Sequence, residues 1–384
     1  MGVALAQPHQ HPDRPVAVFE DAECLAEHGA DRRAAARVHR PAGKVRAGQE
    51  IAGVDGAVCR GHLDRDDRCD RNRNLVSAHA RDSEGDDSAH AELANAWNLL
   101  GYVHGIVLHY GDAGAAVEQV MEHARLAGDS RREAGGAIGY ALAALHGPTP
   151  VPDAIACSER LLNAIGNRQA EGLVLGVVAR LWAMQGDFEE ARKLYSRARA
   201  LLEELGGASG AALTVHPSAV EILAGDPGAA ERDLRQEYET LSSLGEKFYL
   251  PLVTALLAQT LFAEGHQEEG GEFAELAREL ADQDDLEAQA IWRRVQARVL
   301  ASRGKFDEAA PLAREAVELL NETDALVMQG DAFCDLAEVH AAAGCTDEAA
   351  ATLEQALERY ERKKNLVMIA HVRPRLEELR ARVT

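Results

Sequence analysis

Three residues near the N-terminus carry side chains of the kind that bind metals: Cys59, His62 and Cys69. Thiolate and imidazole groups are common zinc ligands, and a fourth ligand would have to come from His39 or Cys24. The spacing matches no standard zinc pattern. Incidental residues in a segment without periodicity are the favoured interpretation, so we expect no metal site.

Glu221 and two histidines stand at positions where helical periodicity places apolar side chains. The repeat described below aligns Glu221 with a tryptophan and two leucines of other units, so its carboxylate should be paired or should turn toward a groove. A locally shifted helix that exposes Glu221 is the simpler alternative. For His104 and His340 we favour core or partly exposed positions over ligands or switches.

Aromatic and acidic residues add no clear catalytic site. Trp97, Trp182 and Trp292 recur on equivalent helices, where core packing is favoured over stacking on a ligand. Cys157, Cys334 and Cys345 are expected to be buried or half-buried. Two acidic pairs, Asp284-Asp285 and Glu203-Glu204, are interpreted as solvated loop or surface charge.

Motifs that bind nucleotides or activate nucleophiles are absent from the sequence. No G-x-x-x-x-G-K-[ST] loop occurs to cradle phosphates. Neither a G-x-S-x-G elbow nor an H-E-x-x-H pair is present. We therefore predict no catalytic residues, no cofactor and no enzymatic activity.

A glycine-containing turn recurs from Ala91 onward and decides the fold. A glycine ends one helix, and a short polar turn leads into the next. The glycines are 36, 39, 39, 40, 39 and 40 residues apart. They are Gly111, Gly147, Gly186, Gly225, Gly265, Gly304 and Gly344. Acidic pairs after three of them favour the positive end of the following helix, and Pro227 suits a first helical turn.

Two columns of small residues accompany these turns. The first follows most of the glycines by five positions and contains Ala116, Ala191, Ala230, Gly270, Ala309 and Ala349. The second precedes them by seven positions and contains Ala179, Ser218, Ala258, Ala297 and Ala337, with His104 as the exception. Small side chains let two antiparallel helices approach to about 8–10 Å. The columns therefore predict helical hairpins.

This pattern resembles the tetratricopeptide repeat, with a period of 39–40 in place of about 34. Residues 96–105, 140–155 and 221–241 look most like the C-terminal repeats of actinobacterial adenylate/guanylate cyclase-like ATPase regulators. Repeat arrays of MalT-type LuxR regulators are also similar. The resemblance covers residues 91–384 and implies a regulatory or sensing arm; neither an ATPase domain nor a helix-turn-helix lies in this sequence.

We predict an all-α, right-handed superhelical solenoid of about seven antiparallel helix pairs between Ala91 and Lys364. Loops between pairs are expected near Asp129, Asn167, Gly206, Gly245, Asp284 and Thr323. A capping helix should run from Leu366 to Arg382, with Pro374 kinking it or marking its start.

Residues 1–90 differ in character from residues 91–384. They contain no Trp or Tyr and show no helical or strand period. We expect this segment to have little order, because it cannot bury enough apolar surface to offset its ordering entropy. A second hypothesis is that residues 1 to about 85 arise from a frameshift or a mis-assigned start.

The charge of the chain restricts its partners. The 384 residues carry a formal net charge of −22, which opposes binding to nucleic-acid phosphates. No apolar run is long enough for a membrane span, and the N-terminus lacks a secretory signal, so a cytoplasmic location is expected.

The predicted function is protein–protein interaction in signal transduction. A concave repeat surface would bind a basic or amphipathic protein or peptide, and an ATPase or cyclase regulator is one candidate partner. The alternative is a small-molecule inducer sensor of MalT type, with tryptophans near the axis. Sequence alone assigns no partner-binding residue.

Overall fold

Fifteen α-helices make up the regular structure of residues 87–205 and 210–383, the parts of the chain that this computed structural model describes. No strand occurs within those ranges. The helices are α1 (Asp87–Ile106), α2 (Tyr110–Leu126), α3 (Ser130–His146), α4 (Val151–Ala164), α5 (Arg168–Gln185), α6 (Phe188–Glu204), α7 (Gly210–Leu223), α8 (Pro227–Leu244), α9 (Leu250–Ala263), α10 (Gln267–Leu280), α11 (Leu286–Ser302), α12 (Phe306–Asn321), α13 (Leu326–Ala342), α14 (Thr346–Lys363) and α15 (Leu366–Val383).

Consecutive helices pack as seven hairpins, from α1–α2 to α13–α14, and α15 follows as the capping helix. First helices of successive hairpins also contact one another, as α3 contacts α5 and α11 contacts α13. The number of pairs, the capping helix and five of the six inter-pair loops agree with the prediction from the repeat; the sixth loop, near Gly206, lies outside the described residues. Pro374 lies within α15, so the alternative in which it marks the helix start is wrong.

The two columns of small residues lie at the hairpin contacts, as predicted. Every alanine of the two columns is buried, and so is His104. Gly270 shows how close the backbones approach: a β-carbon there would lie 3.1 Å from the Ala258 carbonyl oxygen and 3.1 Å from the Phe262 nitrogen. The absence of bulk on both helices therefore sets their spacing.

Five of the seven predicted turn glycines adopt the left-handed conformation: Gly186, Gly225, Gly265, Gly304 and Gly344 have φ between 74° and 88°. Acidic residues begin α6, α12 and α14, and Pro227 begins α8, as expected from the helix dipole and from the fixed φ of proline. These local rules account for the regular part of the array.

The predictions for Gly111 and Gly147 as left-handed turn residues are wrong. Gly111 lies inside α2, and the preceding turn is made by Leu108 at φ 57°. Gly147 ends α3 with φ −82°. A β-carbon at Gly111 would lie 2.9 Å from the Asp324 carboxylate, and one at Gly147 would lie 2.6 Å from the Tyr110 β-carbon. Both glycines therefore permit close approach between distant segments.

Those segments close the array into a ring. Asp324, between α12 and α13, accepts hydrogen bonds of 2.7 Å from the backbone N–H groups of Tyr110 and Gly111 at the start of α2. A carboxylate at this position interacts favourably with the helix dipole. Leu108, beside it, belongs to the same hydrophobic cluster as the buried residues of α11–α15.

A buried lysine makes the second closing contact. The Lys363 ammonium at the end of α14 donates three hydrogen bonds of 2.7–2.8 Å to the carbonyl oxygens of Ala144, Gly147 and Thr149. The side chain is completely buried. Burial lowers the pKa of Lys363 to about 7, so near neutral pH its main contribution is donors for carbonyl oxygens at the end of α3 that lack partners in the helix. Next to it, α15 packs against α5 as well as α14.

The N-terminal predictions fall outside this description. Residues 1–86 precede the described part of the chain, so the expected low order of residues 1–90 and the frameshift hypothesis stay predictions. Within the described residues, no helix combines the length and apolarity needed to cross a bilayer.

Gly330 offers a test of the tight hairpin packing. A β-carbon at Gly330 on α13 would lie 2.7 Å from the ring of Tyr360, which is fully buried on α14. We expect Gly330→Ala to lower the free energy of unfolding by about 1–3 kcal/mol. Gly135→Ala on α3 is the control, because its β-carbon meets nothing within 4 Å, and it should stabilise by about 0.4–1 kcal/mol. Urea denaturation of both variants measures the difference, and equal effects would contradict the packing argument.

Lys363→Met tests the ring closure. The change leaves three carbonyl oxygens around the end of α3 without their donor, so the free energy of unfolding should fall by about 1–3 kcal/mol. Amide exchange should also speed up near residues 147–150 and 322–325. Lys364→Met, at the neighbouring exposed position, should change neither quantity. Identical exchange in the two variants would argue against closure by Lys363.

Candidate functional site

Closure of the ring leaves one central cavity of about 490 Å³ between the inner helices. Its wall comes mainly from the first helix of each hairpin after the first, α3, α5, α7, α9, α11 and α13, and from α15. The concave face of the array therefore contains a partly open cavity of limited volume. Pockets of about 300–1,000 Å³ are typical of small-ligand sites.

One side of the central cavity carries an ion-pair network. The Arg294 Nε lies 2.7 Å from Asp335, and the Arg298 Nε lies 2.9 Å from Glu338. Arg375 on α15 reaches the same glutamate at 3.3 Å. The side chains of Arg294 and Asp335 are only 7% and 9% exposed, so each offsets the desolvation of the other.

Asp331, Tyr360 and Cys334 extend this network. The Tyr360 hydroxyl donates a 2.6 Å hydrogen bond to Asp331, and the Cys334 sulfur lies 3.8 Å from the same hydroxyl. Burial, together with the negative charge of Asp331, raises the pKa of Cys334 to about 12. The thiol is thus protonated at neutral pH and is a poor nucleophile.

The opposite side of the cavity contains Arg180, which lacks such a partner. Its Nε is buried and has no hydrogen-bond partner among the described residues, and no described carboxylate forms an ion pair with the guanidinium. Burial lowers the pKa of Arg180, whereas the more distant charges of Glu287 and Asp331 raise it. The Ser218 Oγ and the Asn365 Nδ2 also line this cavity, buried and without described partners.

Glu287 faces Arg180 across the cavity from the first turn of α11. Burial raises the pKa of Glu287 to about 7, and the Arg180 charge opposes that rise. His146, at the end of α3, has a pKa well below its usual value because of burial and the positive charge of Arg180. At neutral pH this side of the cavity thus combines a guanidinium, a neutral imidazole and a carboxyl group near its midpoint of titration.

Glu221 lies outside the central cavity and is paired. Arg192 binds its two carboxylate oxygens at 2.5 and 3.0 Å, and the Tyr195 hydroxyl donates at 2.8 Å. The expectation of a paired carboxylate is confirmed, whereas the exposed alternative is wrong because Glu221 is 7% exposed. Its partners come from α6, so the pair fastens two hairpins together.

The remaining sequence candidates have structural positions. His104 is buried and His340 is half-buried, as expected. None of the three tryptophans lines the central cavity, which agrees with the favoured core packing and not with the alternative of stacking on a ligand near the axis. Trp292 is buried and donates a 2.9 Å hydrogen bond to the Gln289 side chain. Cys157, Cys334 and Cys345 are half-buried, as predicted.

The two acidic pairs, predicted to be solvated charge, are only partly exposed to solvent. Glu204 is exposed and binds Arg168 at 2.7 Å. Asp285, in contrast, is half-buried and accepts a hydrogen bond from the Ala288 N–H as the N-cap of α11. The metal candidates Cys24, His39, Cys59, His62 and Cys69 all lie outside the described residues.

Sequence reasoning missed the residues of the central cavity, although a signal was available. The position after the second small column carries Arg180, Ala219, Gln259, Arg298 and Glu338, and all five line the cavity. On a helix, the residue that follows a buried small residue points partly toward the neighbouring helices. Four polar side chains in that column could have indicated a polar inner surface.

Comparisons with known proteins give solved structures of low sequence identity and no matching family. No family model matches the chain, and no curated protein matches it. Yeast Tom70 is 14% identical, with 95% of this chain and 72% of that one covered at a TM-score of 0.49. A Pyrococcus horikoshii signal transduction ATPase with a tetratricopeptide repeat sensor is 11% identical, with coverages of 85% and 55% and a TM-score of 0.49. A Rap protein complexed with competence and sporulation factor is 12% identical, with 87% of this chain and 98% of that one covered at a TM-score of 0.49. The likeness to the two named regulator families stays a prediction.

Glu287→Gln tests the electrostatics of the cavity. Since the pKa of Glu287 is about 7 in the folded protein and 4.5 as the reference value, ionisation costs the folded state progressively more from pH 4.5 to 7. Relative to wild type, the variant should therefore gain on the order of 1–3 kcal/mol of unfolding free energy between pH 4.5 and pH 8. Urea denaturation at pH 4.5, 6 and 8 measures this gain. A stability difference that does not change with pH would contradict the raised pKa.

Proposed function

We propose that this chain is a non-catalytic regulatory interaction module that binds a short segment of a partner protein in the central cavity. The observation that supports this function is the convergence of seven inner helices on one charged cavity. Stacked helical hairpins commonly use their concave face for binding. The cavity volume of about 490 Å³ suits an extended segment of a few residues better than a whole helix, which is about 10–12 Å wide with its side chains.

The partner segment is proposed to be basic or amphipathic. The net charge of −22 attracts positively charged partners and slows encounters with acidic ones. Inside the cavity both signs of charge are present, next to apolar residues such as Met184 and Ile222. A segment with separate polar and apolar sides suits that lining.

The resemblance and the cavity chemistry support the proposed partner class and a non-catalytic role. Repeats similar to those of cyclase-like ATPase regulators support a role as the regulatory arm of a cytoplasmic signalling ATPase. The central cavity brings together ion pairs and a protonated thiol at Cys334, a combination suited to binding.

A second candidate function is sensing of a small-molecule inducer. One observation favours it: the cavity volume of about 490 Å³ lies in the range of small-ligand pockets. Such a ligand would contact charged and aliphatic groups, since the tryptophans lie elsewhere.

Ala219→Trp tests whether partners use the central cavity. Ala219 lines the cavity from α7, so an indole there should exclude a bound segment. Ala370→Trp on α15 is the matched control, since residue 370 is exposed and outside the cavity lining. Affinity capture with the full chain, followed by quantitative mass spectrometry, should show partners that wild type and the control retain. The amount of these partners captured by Ala219→Trp should be at least about tenfold lower, which corresponds to a loss of at least ~1.4 kcal/mol of binding free energy.

Circular dichroism must show that both tryptophan variants are folded. Equal capture by both would reject the cavity as the binding surface.

A further inference from the structure

We propose that the Arg180 side of the central cavity is a site for a carboxylate group attached to an apolar chain. The carboxylate would belong to a small organic acid or to the free C-terminus of a short peptide. This inference deepens the proposed function, because it names the chemistry of the group that enters the cavity.

The first argument is that Arg180 differs from the other arginines of the cavity. Arg294, Arg298 and Arg375 each form an ion pair with an aspartate or glutamate of α13. Arg180 forms none with the described residues, and its buried Nε has no hydrogen-bond partner there. A desolvated guanidinium without a counter-ion costs free energy, which a bound anion would recover.

The second argument is the set of donors around Arg180. The Ser218 Oγ on α7 and the Asn365 Nδ2 at the start of α15 line the same cavity, and both are buried without described partners. Hydroxyl, amide and guanidinium groups all donate hydrogen bonds. The planar guanidinium also matches the two oxygens of a carboxylate. Arg180, Ser218 and Asn365 therefore bring donor groups from three elements to the lining of the same cavity.

The third argument is the charge around these donors. Asp331 is engaged by the Tyr360 hydroxyl and lies 3.8 Å from Arg294, so its charge is compensated. Burial lowers the pKa of Lys363 to about 7, so at neutral pH it is only partly protonated and adds a partial positive charge behind the end of α3, while His146 is neutral. Glu287 is the one acidic group that faces Arg180 without an ion pair among the described residues, and in its protonated form it donates to a carboxylate. This balance favours an anion over a cation.

The fourth argument selects a carboxylate with an apolar chain over an inorganic anion. Met184 follows Arg180 by one helical turn, and Ile222 follows Ser218 by one turn, so each apolar side chain lies on the same helix face as a donor. Both line the cavity, as does Val367 on α15. Ile222 and Val367 are half-buried, so a hydrocarbon chain would cover them, whereas inorganic phosphate would leave them in contact with water; Met184 is already buried.

Isothermal titration calorimetry on the full chain tests the site with four probes: hexanoate, inorganic phosphate, and the tripeptide Ala-Ala-Leu with a free or an amidated C-terminus. We expect hexanoate, the free-acid peptide or both to bind wild type. Binding should weaken at least about tenfold in Arg180→Gln. Arg168→Gln is the matched control, because Arg168 lies on the same helix, is exposed and pairs with Glu204 outside the cavity.

Ile222→Glu is a second variant that keeps Arg180. Ile222 is a half-buried residue of the cavity lining, so a carboxylate there adds negative charge to the cavity and should likewise weaken binding of external carboxylates at least about tenfold. Binding of hexanoate alone assigns the site to organic acids. Binding of the free but not the amidated peptide assigns it to a peptide C-terminus.

Several results would overturn the carboxylate site: no binding of either carboxylate probe to wild type, equal affinity in Arg180→Gln, or phosphate binding as tightly as hexanoate. These outcomes are separate from those of Ala219→Trp. Loss of partner capture in Ala219→Trp with no carboxylate binding keeps the proposed function and rejects this site. Arg180-dependent carboxylate binding with unaltered capture keeps the site and rejects protein binding in the cavity.

Discussion

The charged side chains that close the ring determine what the rest of the structure can do. Asp324 occupies the positive end of α2 and Lys363 the negative end of α3, so each charge meets the helix dipole of opposite sign. Helical hairpins stacked with a constant small rotation form an open spiral unless the two ends are joined. Here the two contacts join them, and the concave face becomes a partly open chamber lined by the inner helices.

The chamber changes the strength of the charges within it. Electrostatic interactions are stronger where water is excluded, and an unpaired group is then costly. The network of Arg294, Asp335 and Glu338 satisfies that requirement internally. Arg180 and Glu287 do not, which is why burial shifts the pKa of the glutamate toward neutrality. The charges in one half of the chamber are thus paired with one another, whereas the other half is suited to an added group.

The repeat fold could be predicted from the sequence because it depends on local spacing. Glycine turns and small residues recur at 39–40 residues, and each hairpin obeys the same packing rule. Ring closure could not be predicted in this way. Tyr110 and Asp324 are 214 positions apart, and Lys363 and Ala144 are 219 apart, so no local period relates them. Gly111 and Gly147 were misassigned for the same reason: they match the turn spacing but serve these distant contacts. Arg180 was missed because its significance depends on which carboxylates are paired elsewhere.

Closure also constrains how this protein can diverge. An open solenoid can gain or lose a hairpin by internal duplication or deletion, because each unit contacts only its neighbours. In this ring, one extra hairpin would move Asp324 and Lys363 away from the ends of α2 and α3 and would disrupt the hydrophobic cluster that Leu108 shares with α11–α15. The number of repeats is therefore fixed by geometry, and relatives of this chain should vary in loop length and surface sequence while the count of seven hairpins stays constant.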